Sequence, residues 1–176
     1  TDEGDVLTDT ATIENTAPEI SSVTLSPSTV YTDDTITATV SSSDADEDTV
    51  SLSYAWYVGG SLVAETGSTL DGSSYFDKAD EVYVVVTPND GTDTGTAASD
   101  AVTVVNSPPV VSSVAISPSS PTVSDALTCS YSFADKDGDA DASSVTWTVG
   151  SSTVGTGSTL AAGTATKGET AVCTVE

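Results

Sequence analysis

One stretch of this chain is written twice. Residues 15–28, NTAPEISSVTLSPS, return at 106–119 as NSPPVVSSVAISPS, displaced by 91 positions without a gap. The same displacement lays residues 1–14, TDEGDVLTDTATIE, on residues 92–105, TDTGTAASDAVTVV, which close the first repeat. The second repeat runs to Glu176, opposite Thr87, just before that closing stretch is due. The chain thus opens on a closing segment without its own domain and goes on to a domain without its closing segment. This organisation predicts either polymerisation or a window cut from a long array.

Within each repeat, short apolar alternations recur every 8–12 residues between Gly, Pro, Asp and Ser clusters, and helix signals are nearly absent. That is the pattern of an all-β sandwich. Strands are expected at about 19–26, 34–41, 51–58, 61–65, 67–76, 81–87 and 96–105. In the second repeat they are expected at about 110–117, 125–133, 144–150, 152–155, 157–165 and 169–176. Period two assigns Ile36, Ala38, Val40, Tyr54, Trp56, Val58, Val82, Val84 and Val86 to the first core. The matching set is Leu127, Cys129, Tyr131, Val145, Trp147, Val149, Ala171, Cys173 and Val175. NTAP and NSPP read as short, extended Pro-bearing linkers.

Cys129, Trp147 and Cys173 fall on the second, third and penultimate main strands of a sandwich. With the motif series NxxP, SP, DxDxD, YxWxxG and TPNDGT, the chain resembles tandem bacterial and archaeal Ig-like repeats of the PKD and cadherin-like type, found in extracellular surface proteins. The resemblance implies two tandem Ig-like β-sandwiches. Residues 15–105 form the first, and 106–176 the second, which lacks its last (G) strand; residues 1–14 are a donor-type G strand. It also implies a Cys129–Cys173 disulfide under Trp147, whereas the first repeat carries Ala38 and Val84 at those places. With no His and no third Cys, a soft metal site has no further ligands. A disulfide requires an oxidising compartment, so an extracellular or cell-surface location is expected, and it contributes about 3–4 kcal/mol.

The chain carries 27 acids against three lysines, with no Arg or His, for a net charge of −24. Nucleic acid and anionic membranes need a cationic face, so neither is an expected partner. No stretch approaches the roughly 20 apolar residues of a membrane span. The chain begins at a Thr within a strand pattern, and a processed species is expected. No His is available as a base, neither Ser nor Cys has an activating partner, and the acids lie on turns without a sugar platform. An enzyme is not expected. Tyr57, Tyr75 and Tyr83 are better suited to cross-strand packing than to a glycan, although a surface glycan or protein ligand is left open.

Two acid clusters remain. Asp44, Asp46 and Asp48, beside Glu47, fill one loop; Asp135, Asp137, Asp139 and Asp141 fill its counterpart. Alternating aspartates can turn several hard oxygens to one centre, as calcium demands, although Asp is also an ordinary turn residue. The Ig-like resemblance brings Asp90, with Asn89 and Asp93, to the same pole as Asp44–Asp48. Calcium is therefore the expected cofactor, if any.

The missing closing strand leaves an edge that templates another strand. Val6, Leu7, Ala11 and Ile13 carry the apolar side of a segment suited to fill it, Ala11 and Ile13 matching Val102 and Val104. A nine-residue strand spans only about 30 Å, too little to reach back past a whole domain. The expected partner is another copy, joined head to tail in an open fibre. The alternative is a repeat of a giant adhesin or matrix stalk, where the segment is continuous with a preceding domain.

Overall fold

A computed structural model describes residue 5 and residues 7–176. The chain divides into two compact units at Val105/Asn106. Both are nearly all β. Among the described residues no helix is long and apolar enough to cross a membrane.

Unit 1 contains β1 (Glu19–Ser26), β2 (Val30–Tyr31), β3 (Thr35–Ser43), β4 (Ser51–Val58), β5 (Ser61–Leu62), β6 (Thr69–Asp71), the single-turn α1 (Gly72–Tyr75), β7 (Glu81–Asn89) and β8 (Ala98–Val105). Its strands form two sheets, β1-β3-β6 and β2-β8-β7-β4-β5. The pairings are antiparallel except that β2 runs parallel to β8. Alternation along the strands sends Ile36, Ala38, Trp56, Val82, Val84, Val86 and Val104 into one core with Leu25, Val30, Leu70 and Phe76. Trp56 is wholly buried, and its indole N–H donates to the Gly67 carbonyl at 2.9 Å, so burial costs it no hydrogen bond.

The strand expected at 67–76 is shorter than its sequence suggested. Past Asp71 the chain turns into α1, because the Asp71 carboxylate accepts the hydroxyls of Ser73 and Ser74 at 2.7 and 2.9 Å. Such local bonds offer the backbone an alternative to a ladder. Gly72 sits where a Cβ would lie 2.7 Å from the Asp34 carbonyl oxygen, so the turn excludes any side chain there.

Unit 2 contains β9 (Val110–Ser117), β10 (Leu127–Ala134), β11 (Val145–Val149), β12 (Ser152–Thr156), β13 (Thr159–Leu160) and β14 (Ala171–Val175). The sheets are β9-β10-β13 and β12-β11-β14. The strand expected at 157–165 is reduced to β13. Trp147 is fully buried and donates its indole N–H to the Gly157 carbonyl at 2.9 Å, repeating the arrangement of Trp56. Cys129 and Cys173 form a disulfide with a Cα–Cα distance of 6.3 Å, and Trp147 lies directly across from Cys173 in the β11–β14 pairing.

The units differ at one edge. In unit 1, β7 has β4 on one side and β8 on the other, and β8 in turn supports β2. In unit 2, β14 pairs with β11 alone among the described residues, and Pro121–Thr122, which stand where β2 stands, form no strand. The consequence is visible in the core. Val82, Val84 and Val86 are fully buried, whereas Ala171, Cys173 and Val175 are only half-buried.

Unit 2 should therefore depend on its disulfide. The paired substitution C129A/C173A is expected to lower its unfolding free energy by about 3–4 kcal/mol and to leave unit 1 unchanged. Each unit carries one Trp, so urea melts followed by fluorescence in W56F and W147F backgrounds measure the two transitions separately.

Candidate functional site

The two acidic loops are built alike. Between β3 and β4, Asp44 Oδ1 accepts the backbone N–H groups of Asp46 at 2.8 Å and Asp48 at 3.3 Å. Between β10 and β11, Asp135 Oδ1 accepts those of Asp137 at 2.9 Å and Asp139 at 3.0 Å. Glu47 and Gly138, at equivalent places, both have left-handed backbone, with φ of 63° and 73°. Each loop thus wraps around its first aspartate.

In both loops the other oxygen of that aspartate, Oδ2 of Asp44 and of Asp135, is buried without a hydrogen-bond partner. A buried carboxylate oxygen without a partner is costly. Carboxylate oxygens of Asp44, Asp46 and Asp48 lie within 4.8 Å of one another, as do those of Asp135, Asp137 and Asp139. Two ligands at calcium's usual 2.3–2.6 Å can lie up to about 5 Å apart on a common ion, so oxygens this close can share one. The donors are all hard oxygens. Each triad therefore has the chemistry and spacing to hold a divalent metal ion.

The same loops hold the linkers. Asp46 Oδ2 accepts the Thr16 backbone N–H at 2.6 Å, and Asp137 accepts that of Ser107, which is buried. From the turn between β7 and β8, Asp90 and Asp93 accept the Asn15 side-chain amide at 3.0 and 2.9 Å. The β3–β4 loop and the β7–β8 turn thus meet at Asn15 and Thr16, the convergence expected at this pole. Asp90 spends its carboxylate on Asn15 and on its own turn rather than in the Asp44 triad. Asp141 also stands apart. It accepts the Tyr131 hydroxyl at 3.0 Å and the Ser143 N–H at 2.8 Å. The Ser143 hydroxyl and amide hold the Asp141 carboxyl below its ordinary range, and the bond to Asp141 raises the Tyr131 phenol.

The second candidate is the edge of β14. Beside it lies a groove of about 720 Å³, lined among others by Ile116, Pro121, Leu127, Leu160, Ala165 and Ala171. In unit 1 the equivalent space is filled from β8 by Val104 and flanked by Val30 and Phe76, all buried. The backbone of Val104 donates to the Asp80 carbonyl and accepts from the Ala79 N–H, both at 2.9 Å. Gly168 and Glu169 stand in those places in unit 2 and line the groove. The segment that matches β8 forms no strand pairing at residues 7–14, and Leu7 and Ile13 are 94 % and 88 % exposed. Ala11 is exposed with them; Val6 lies outside the described residues.

Tyr57 and Tyr83 are cross-strand partners whose rings stack at 4.6 Å and 6°, so they pack on each other. The linker contacts of Asp46 and Asp137 had no separate signal in the sequence. Their only trace is that the small polar residues Thr16 and Ser107 recur at the same place.

The Asn15 anchor has a defined acid limit. The Asn15 amide, with the Asp93 and Thr92 N–H groups, holds the Asp90 carboxyl below its ordinary 3.8. A group depressed in the folded state stabilises it above the unfolded value and loses that contribution as pH falls through the lowered value. The Asp90 side-chain carboxyl carbon should keep its ionised chemical shift from pH 7 to pH 5 and titrate with a midpoint below 3.8, which an NMR pH titration reads directly. Comparison with known proteins yields no matching family model and no curated protein of significant similarity.

Proposed function

We propose that this chain is a non-enzymatic structural subunit of an extracellular filament, assembled head to tail by strand complementation. Residues 1–14 of one copy complete the Ig-like second sandwich of the next. What supports this reading is that one chain carries both an edge of β14 without a second neighbour among the described residues and an exposed segment, residues 7–14, equivalent to the strand that closes the same edge in unit 1. Inserting that segment gives β14 a second ladder and covers Ala171, Cys173 and Val175. Side-chain volumes differ between the two units at this edge. The groove has Ala171 and Ala165 where unit 1 has Val82 and Phe76, and the segment brings Ile13 where β8 has Val104. Donor and acceptor are different segments of the chain, residues 1–14 and the β14 edge, so the contact is heterologous and propagates.

Calcium bound at Asp44, Asp46 and Asp48 and at Asp135, Asp137 and Asp139 would stiffen the linkers, because Asp46 and Asp137 also grip Thr16 and Ser107. The disulfide fits the oxidising conditions outside the cell.

A second reading follows from the same repeat phase: a giant adhesin or matrix stalk in which each closing strand is covalently continuous with the sandwich it completes. The mass of the native polypeptide under reducing, denaturing conditions separates the two. A band near 17.6 kDa supports strand exchange, and a very large one supports the array.

Deleting residues 1–14 is expected to abolish fibres seen by electron microscopy while both sandwiches remain folded; fibres of normal appearance after the deletion would refute the filament reading. For calcium, titration calorimetry should show binding in the range of about 0.1–1 mM typical of extracellular modules, weakened by Asp135→Asn and Asp44→Asn. Absence of heat together with identical melting in EDTA would end that part of the proposal.

A further inference from the structure

The apolar residues of the segment do not by themselves fix where it lies along β14. Its inward positions, by alternation, are Leu7, Asp9, Ala11 and Ile13, equivalent to Ala98, Asp100, Val102 and Val104 of β8. A slip of one residue would turn all of them to solvent. A slip of two keeps the apolar residues facing inward, and within Leu7–Ile13 the acid that opposes it is Asp9.

Asp100 shows what an acid does at that place. It is half-buried, its Oδ1 accepts the N–H of the next residue, Ala101, at 2.9 Å, and its Oδ2 accepts the Leu25 N–H at 2.8 Å. Leu25 lies on the edge strand β1 opposite Ala38, whose own N–H is directed to Ser68 on the far side. Leu25 and Ala38 are therefore a non-hydrogen-bonded pair, and the Leu25 N–H points outward from its sheet, towards β8.

Unit 2 repeats the acceptor side of this contact. Ile116 is opposite Cys129 on β9 and β10, and the Cys129 N–H is directed away to Ser158. The Ile116 N–H accordingly points away from β10, and Ile116 lines the groove. The segment repeats the donor-strand side. Asp9 Oδ1 already accepts the N–H of the next residue, Thr10, at 2.9 Å, the same local bond that sets the Asp100 side chain.

We propose that Asp9 is the register-determining residue of the inserted strand, its carboxylate accepting the Ile116 backbone N–H of a second copy. This rests on the strand-exchange reading above. A charge-assisted bond in a half-buried site contributes more than a neutral one, and a displaced register would press the carboxylate against apolar lining instead. Asp9 thus supplies selectivity where the hydrophobic side chains supply adhesion.

The test uses the isotopically labelled chain lacking residues 1–14, titrated with synthetic peptides of residues 1–14 carrying Asp9, D9N or D9A. The unaltered peptide should bind, perturb the β14 amides and move the Ile116 amide downfield. D9A should bind about 10- to 100-fold more weakly without the Ile116 shift, and D9N should fall between. If the unaltered peptide does not bind, strand exchange itself fails. If D9A binds as tightly and gives the same Ile116 shift, strand exchange stands and the role of Asp9 is overturned.

Discussion

A strand at the edge of a sandwich presents two unmet demands, a row of backbone donors and acceptors and an apolar flank half in water. In unit 1, β8 meets both. It gives β7 a second ladder and places Val102 and Val104 against the core. Much else in that unit is downstream of this one strand. β2 exists only as a two-residue parallel partner of β8, and Val30, fully buried, is held there by it. Where no strand occupies that position, β14 keeps a single neighbour, the stretch equivalent to β2 forms no ladder, and three inward residues stay half in water. The contrast arises within one chain, where the ladder, the disulfide and the size of the core side chains all differ between the two units.

Unit 2 ties its edge strand β14, which has one neighbour among the described residues, to the rest of the fold through a covalent link. Five buried apolar residues make up its core against eleven in unit 1. The disulfide joins β10 to β14, linking the two sheets on the side where the ladder is incomplete. It constrains the unfolded chain and keeps β14 in place without filling the space beside it. A large buried side chain at Ala171 or Ala165 would have stabilised unit 2 at the cost of the groove.

How far the sequence spoke for the structure depended on the length scale of each signal. Period-two alternation over eight or nine residues placed β1, β4, β7 and β9 closely and assigned Trp56, Val84, Trp147 and Cys129 to the interior. Shorter elements escaped. β2 is two residues long and owes its existence to a partner more than 70 positions away, which no local pattern records. β6 and β13 are cut short by turn chemistry at Asp71 and Ala161, where hydroxyl and carbonyl bonds compete with the ladder. At the acidic loops, composition pointed to the aspartates but could not say which of them would converge. Asp141 and Asp90 looked equivalent to their neighbours until Tyr131, Ser143 and Asn15 were seen to claim them.

In a chain with a net charge of −24, an acidic cluster is weak evidence of anything, because carboxylates are everywhere and most are simply hydrated. What distinguishes these two loops is organisation that solvation does not require. Each folds around one aspartate oxygen, buries the other without a partner, and sends a neighbouring carboxylate to the linker backbone. Gathering three like charges within 4.8 Å is unfavourable in water and more so at reduced dielectric. The arrangement recurs in both units, with the left-handed turn at Glu47 and Gly138, as the repeat of the sequence dictates. A divalent cation held there would remove the repulsion and satisfy the buried oxygen. The carboxylates that could hold such an ion belong to the same loops that grip Thr16 and Ser107.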